Sequence, residues 1–209
     1  SYKLLGLHLV ADGNQQEIIH NLRSKCKKFA AIFHEISITL NDICTGYNTI
    51  FILTVCYNLT STAIPHKDLR QMQKQITYNI IPRLGFNRHF PREIVYETKE
   101  LGGIGVYNLT NEQQIEHIMF TLNHLTKQTQ CGKMIQILLE TYQYTTGMID
   151  NCLTNTDPIN YVTAPWINCL HKALHQANAT IITSQIRTIS PKHRNDEGIM
   201  KLINKMTTN

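Results

Sequence analysis

The stretch NDICTGYNTIFILTVCYNLTSTAI, residues 41–64, decides the fold. Its middle is apolar nearly all the way round, with Ile50, Phe51, Ile52, Leu53 and Val55 in close succession. That pattern predicts a central helix packed on several sides, the core element of the chain. The same stretch contains the longest apolar run, residues 50–57, which is interrupted by Thr54 and falls far short of the roughly 20 residues needed to cross a bilayer. A membrane span is therefore not expected.

Amphipathic patterns flank this stretch on both sides. Over 15–35, Ile18, Leu22, Cys26, Phe29 and Phe33 recur at steps of three and four, predicting a helix with one apolar face and with Arg23, Lys27 and Lys28 largely turned away from it. Pro65 suits the first turn of a further helix with a stripe of Leu69, Met72, Ile76 and Ile80, ended by Pro82 and Gly85. Residues 2–10 read as a short Leu-rich strand with no visible partner, followed by the turn ADGN at 11–14.

Downstream, RLGFNRHFPRE at 83–93 reads as a basic, aromatic loop and 94–97 as a short extended stretch. The three glycines of LGGIGV, 101–106, suit tight turns or close backbone approach. Thr110 and Gln113 form a capping-box pattern, opening a helix to about residue 127 with Ile115, Ile118, Leu122 and Leu125 as its stripe. A helix over 133–145 carries Ile135, Leu138, Leu139 and Tyr142 and stops at Gly147. After a polar loop at 150–163, Pro165 opens a helix through Leu170 and Leu174, with Trp166 as a core or helix-start anchor. The chain after 184 is polar, with a last helix over 197–206. The expected fold class is mainly α: a helical bundle with a short N-terminal strand and a small extended Gly-rich segment.

The 209 residues suit one ordinary domain or two small ones, and 42% apolar against 17% charged residues describes a globular chain that buries a core. The chain opens at Ser1 with neither a basic nor an apolar leader ahead of the strand, so it reads as a piece of something longer, intracellular, either nuclear or cytoplasmic. Cys26, Cys44, Cys56, Cys131, Cys152 and Cys169 are too far apart for any C-x-x-C pair and read as reduced, buried small hydrophobes. Three N-x-T sequons, at Asn58, Asn108 and Asn178, are what chance supplies in a chain this rich in Asn and Thr.

The formal net charge is +5. All of it belongs to residues 1–99, where Lys and Arg cluster at 23–28 (Arg23, Lys25, Lys27, Lys28), at 67–74 (Lys67, Arg70, Lys74) and at 83–92 (Arg83, Arg88, Arg92, with His89). Such clustering is the footprint of a surface that tracks phosphates, although solvated helix faces also carry Lys and Arg. The sequence lacks an Asp-Asp pair, G-x-x-x-x-G-K-[ST], G-x-S-x-G and H-E-x-x-H. LGGIGV does not fit G-x-G-x-x-G. His171 and His175 share a helix at i, i+4 without an evident third metal ligand, and no Cys sits in an electropositive turn that would lower its pKa. No catalytic residue, metal site, cofactor or small-molecule substrate is read from this chain.

Two motifs in order carry a family resemblance. YKLLGLHL at 2–9 resembles the YLG segment of the primer-grip hairpin that follows the palm in reverse transcriptases of non-LTR retrotransposons. YETKELGGIGVYNL at 96–109 resembles the GGLG signature downstream of the thumb in the same RNA-directed DNA polymerases, although Thr98 stands where many relatives have Pro. RLGFNRHFPRE resembles the basic segment before that signature. The resemblance implies a primer-grip-like strand and turn over 1–13, a thumb-like helical domain over 14–93, a downstream helical region over 94–183 and a polar tail over 184–209. It also implies a non-catalytic region that grips an RNA/DNA primer–template duplex by its phosphates. Leu5 and Gly6 would lie at the primer grip, with Arg23, Lys27, Lys28, Arg83, Arg88 and Arg92 on the backbone. The catalytic carboxylates and their Mg ions would belong to an upstream palm of the same polypeptide, so this chain would not polymerise alone. The competing reading is a helical protein-interaction module, a decayed or domesticated fragment without nucleic-acid binding, which predicts an exposed apolar patch around Tyr142, Tyr144 and Trp166.

Overall fold

The computed structural model describes residues 2–4, 7–9, 15–35, 39–127, 129–148, 150–155, 159 and 161–186. The fold is mainly helical and divides into two compact units, residues 1–113 and 114–209. The expected primer-grip residues Leu5 and Gly6 lie outside the described residues.

In the first unit, the single strand expected over 2–10 is a small antiparallel hairpin: β1 (Tyr2–Leu4) pairs with β2 (Leu7–Leu9), Tyr2 opposite Leu9. The partner strand missing from the sequence reading is thus the second half of the same segment. Helix α1 (Gln16–Glu35) buries Ile18, Ile19, Leu22, Cys26, Ala30 and Phe33, nearly the predicted stripe. The central stretch forms α2 (Leu40–Gly46), a π-helical turn (Tyr47–Phe51) and α3 (Ile52–Leu59). Thr39 caps α2, its Oγ1 accepting from the Asp42 N–H. The all-round burial expected here holds for Phe51, Ile52 and Val55 and fails for Ile50 and Leu53, which are 60% and 66% exposed.

Helix α4 (His66–Arg83) follows Pro65 and buries Leu69, Met72, Ile76 and Ile80 as predicted. The stretch expected to be extended is instead a short helix, α5 (Arg92–Tyr96), because Pro91 at its N-cap sets the chain entering a helical turn. Only Glu97 is extended. The Gly-rich segment then folds back along α5: the Gly103 N–H donates to the Thr98 carbonyl, Gly105 to Glu97, Ile104 to Ile94 and Val106 to Val95, all at 2.8 to 3.0 Å. Gly102 and Gly105 have φ of 84° and 75°, where side chains are strained, and a Cβ on Gly103 would stand 2.1 Å from the Glu97 carbonyl oxygen.

A buried polar cluster fastens this segment to the helices. Asn48 Nδ2 donates to the Gly105 carbonyl at 2.7 Å while its Oδ1 accepts from the Tyr107 N–H at 3.2 Å. Tyr47 Oη donates to the Tyr107 carbonyl and accepts from Gln73 Nε2, and Gln73 Oε1 accepts from the Leu109 N–H at 2.9 Å. The widened π turn separates Tyr47 and Asn48 by less than an α-helical step, so consecutive side chains reach one segment. Helix α6 (Leu109–Thr126) starts two residues earlier than the capping box suggested. Asn108 Oδ1 accepts from the Thr110 N–H, and Gln113 is spent elsewhere, donating to the Ile64 carbonyl and accepting from the Ile64 N–H.

In the second unit, α6 turns inward a stripe of His117, Thr121 and Leu125, whereas Ile115, Met119 and Leu122 are exposed. The buried face is thus turned about 100° from the predicted stripe, of which Leu125 is buried and Ile118 packs half-buried on the core while Ile115 and Leu122 are exposed. Helix α7 (Gln130–Thr146) is capped by Thr129 and ends on Gly147 at φ 70°, and α8 (Pro165–Gln176) begins at Pro165. Leu139, Tyr142, Cys152, Leu153, Leu170 and Leu174 anchor their core, with Ile181 and Ile186 from the following segment.

Replacing Gly102 by Ala places a side chain in open space and costs about 1 kcal/mol of left-handed backbone strain. Gly103→Ala drives a methyl group into backbone. Chemical denaturation is expected to find the second variant the less stable by a clear margin; equal losses would show that the turn is not built as described.

Candidate nucleic-acid interface

Helices α1 and α4 run parallel, a register visible in two contacts. Arg23, in the first half of α1, reaches Asp68 and Gln71 in the first two turns of α4, and Arg83 Nη2 donates to the His34 carbonyl near the end of both helices. Between these contacts lies an open groove of about 760 Å³, lined by Lys27, Ala30, Ala31 and His34 from α1 and by Gln71, Lys74, Gln75 and Tyr78 from α4. The alanines leave room on the α1 side, while the long polar side chains of α4 form the other wall. Glu35 and Asn79 close one end.

The six predicted cations are placed differently from one another. Lys27 lines the groove. Arg88 is held on a lining residue, its guanidinium 4.6 Å from the centre of the Tyr78 ring and Nη1 donating to Tyr78 Oη at 2.8 Å. Arg83 borders the same end, satisfying a carbonyl of the last turn of α1 that has no partner within that helix. Arg23 is at the opposite end, and its charge is matched by Asp68 at 2.5 Å. Arg92 donates to the Arg88 carbonyl at 2.8 Å, so it supports the loop. Lys28 is exposed, but it follows Lys27 and so points about 100° away round the helix. It does not share the groove.

Sequence reasoning left Lys74, His34 and Tyr78 out of the site. One signal was present: Lys67 and Lys74 are separated by seven residues, about 10.5 Å along one helix face, and Tyr78 follows four residues later on that face. The pairing of α1 with α4 had no such signal.

Comparison with models of protein families, with curated proteins and with solved structures finds no match for the chain. The groove is therefore read on its own chemistry: two lysines, a histidine, a tyrosine, amide side chains and one carboxylate, Glu35, line it, and Arg83 and Arg88 contact two of the lining residues, His34 and Tyr78. Such cations and amides bind phosphate oxygens without reading base sequence.

The other candidate groups are arranged differently. His171 is 2% exposed and meets Tyr142 edge-on at 5.4 Å, whereas His175 on the same helix is exposed. Among the described residues no three His, Cys, Asp or Glu side chains converge as metal ligands. All six cysteines are free, with Cys131 and Cys169 half-buried and the rest buried. Burial raises the Cys26 and Cys152 thiols to about 12, so neither is a thiolate at neutral pH. Tyr142 is buried and Trp166 half-buried against His117 and Phe120, so of the three residues expected to form an exposed apolar patch only Tyr144 is exposed. Among the described residues no helix is long and apolar enough to cross a membrane.

Burial holds the His171 pKa below the ordinary 6.5. The folded state thus binds its proton only at lower pH than the unfolded state does. The stability contributed is present above about pH 6.5 and is lost as the pH falls from there toward the depressed value. Unfolding of the second unit, followed by the fluorescence of Trp166, is expected at lower denaturant at pH 5 than at pH 7, and His171→Leu is expected to reduce that difference. An unchanged pH dependence in the variant would assign it to other groups.

Proposed function

We propose that this chain grips a primer–template nucleic-acid duplex by its phosphate backbone, as a non-catalytic part of a reverse transcriptase of the non-LTR retrotransposon type. The catalytic palm would lie upstream in the same polypeptide. The observation that carries the reading is the groove between α1 and α4, where Lys27, Lys74 and His34 face one space, with Arg83 bonded to the His34 carbonyl and Arg88 stacked on Tyr78 of the lining. Lys27 and Lys74 come from two separate basic clusters of the sequence, and the packing of α1 on α4 brings them to one groove. A duplex backbone offers a row of phosphates to such a row of cations, and each contact releases a condensed counterion.

The motif resemblance supports the polymerase context, and the folding of its Gly-rich element onto Tyr47, Asn48 and Gln73 supports treating that element as part of the same unit as the groove. A second reading, a helical protein-interaction module, is favoured by Ile50, Leu53 and Tyr57, which are exposed on one side of the π turn and α3.

Charge substitutions separate the two. Binding of an RNA/DNA primer–template duplex is expected to weaken steeply with salt. Lys27→Glu with Lys74→Glu is expected to lower the slope of log affinity against log salt by roughly two, near 0.9 per lost contact, for all sequences alike. Lys28→Glu is expected to do little. Asp68→Asn frees Arg23 and is expected to tighten binding, at a stability cost of at most about 1 kcal/mol for a half-exposed pair. Undetectable duplex binding at ~50 mM salt removes the nucleic-acid reading.

A further inference from the structure

The lining of the α1–α4 groove is more mixed than phosphates alone require. Lys27 and Lys74 suit phosphate oxygens, but Glu35 repels them, and Gln71, Gln75 and Asn79 form a neutral row along α4. These three follow one another at steps of four residues, each step about 6 Å along the helix and about 40° round it. The row therefore runs along one face, with about 12 Å between its ends.

The row has hydrogen-bonding capacity to spare. Gln71 Oε1 accepts from Arg23 Nη2 at 3.0 Å, which leaves its own N–H groups. Asn79 Nδ2 donates to the Gln75 carbonyl at 3.0 Å, which leaves its Oδ1. Between them, Gln75 Oε1 is shut off from solvent with no hydrogen-bond partner among the described residues. A buried acceptor without a donor is uncommon in folded proteins, so it marks a place for a partner. The row thus offers a donor at one end, an acceptor at the other and an amide with both in the middle. A ligand that answers all three repeats a group able both to donate and to accept.

We infer that the groove takes the ribose strand of the duplex and tells it from a deoxyribose strand by the 2′-hydroxyl. This rests on the duplex grip proposed above and names the strand on which the grip closes. With phosphates on Lys27 and Lys74, the groups between one phosphate and the next are sugars, and successive sugars of a strand are spaced on the scale of the amide row. A 2′-hydroxyl both donates and accepts, so it answers Gln71, Gln75 and Asn79 alike, and it is the group by which a protein tells RNA from DNA. Glu35 fits the same ligand, since a carboxylate accepts from a hydroxyl as readily as it repels a phosphate. A deoxyribose strand meets the phosphate contacts and leaves the amides unanswered. Base edges take no part, so the choice of sugar is independent of base sequence.

Binding of the full chain to duplexes of matched base sequence tests this. An RNA/DNA hybrid is expected to bind about tenfold tighter than the DNA duplex, and about tenfold tighter than a hybrid whose RNA strand carries 2′-fluorine, which keeps the A-like form but cannot donate. Tenfold corresponds to about 1.4 kcal/mol, the net worth of one or two hydrogen bonds. The hybrid and its 2′-fluoro form are expected to share one slope of log affinity against log salt, because their phosphate contacts are the same. Gln75→Leu is expected to bring the ratio of hybrid to DNA affinity from about ten to near one. Asn79→Leu, read by the same ratio, serves as a second variant should the first disturb α4. Equal binding of the hybrid and its 2′-fluoro form would overturn the inference, as would a preference that survives both variants or that changes with base sequence. Failure of every duplex to bind removes the grip itself and the inference with it, an outcome distinct from equal binding of all three.

Discussion

The parallel register of α1 on α4 is the constraint on which the first unit depends. Two helices that run the same way and lie side by side cannot be joined by a short turn, so the chain between them must return. The α2–π–α3 stretch provides that return. Leu22, Cys26 and Ala30 on one helix and Leu69, Met72 and Ile76 on the other supply the burial that holds the pair together. The contacts of Arg23 with Asp68 and of Arg83 with the His34 carbonyl mark the register rather than create it, because exposed or half-exposed polar contacts are worth little beside that burial. Once the register is set, the groove follows. Ala30 and Ala31 are too small to fill the space beside the seam, and Lys27 and Lys74 face each other across it.

A second constraint is polar. Segment 104–108 belongs to no regular strand, and its backbone groups need partners because Val106 and Leu109 carry it into the core. Asn48 satisfies it on both sides of one residue, as a neighbouring strand would, and Tyr47 and Gln73 satisfy the next carbonyl and N–H. Gln113 does the same for both backbone groups of Ile64. Side-chain amides are the natural choice for this task, since each carries a donor and an acceptor a short distance apart. Leaving the buried groups among them, the Leu109 N–H and the backbone of Ile64, unpaired would cost about 1–3 kcal/mol each.

These polar contacts explain where the sequence is legible and where it is not. The stripes of α1 and α4 are readable because their buried residues are apolar and regularly spaced. Helix α6 misleads for the opposite reason: Gln113, His117 and Thr121 are buried and Ile115, Met119 and Leu122 face outward, so hydrophobicity points to a face turned about 100° from the buried one, sharing with it only Leu125 and the flank at Ile118. Periodicity assumes that burial selects apolar residues, and it fails where a buried amide has backbone to bind. The capping box fails in the same way, since Gln113 suits both tasks and only the tertiary structure decides between them. For the candidate interface, the basic clusters are legible as composition. Their grouping is not, because Lys27 and Lys28 are neighbours in sequence with different surroundings, whereas Lys27 and Lys74 are far apart in sequence and share one groove. Leu5 and Gly6 rest on the motif resemblance alone.

The groove is also less positive than its lysines suggest, and that bears on what it suits. Asp68 neutralises Arg23 at one end and Glu35 stands at the other, so the positive stretch is short, centred on Lys27, Lys74 and the Arg88–Tyr78 pair. A strongly cationic surface would hold any polyanion tightly and release it slowly. A short row flanked by carboxylates binds a few phosphates, and its hold weakens as ionic strength rises. Stacking on Tyr78 fixes the Arg88 guanidinium in one place, so less side-chain freedom is lost when it meets a phosphate. Few contacts, partly pre-positioned and blind to base sequence, are what the proposed duplex grip would need for the duplex to advance.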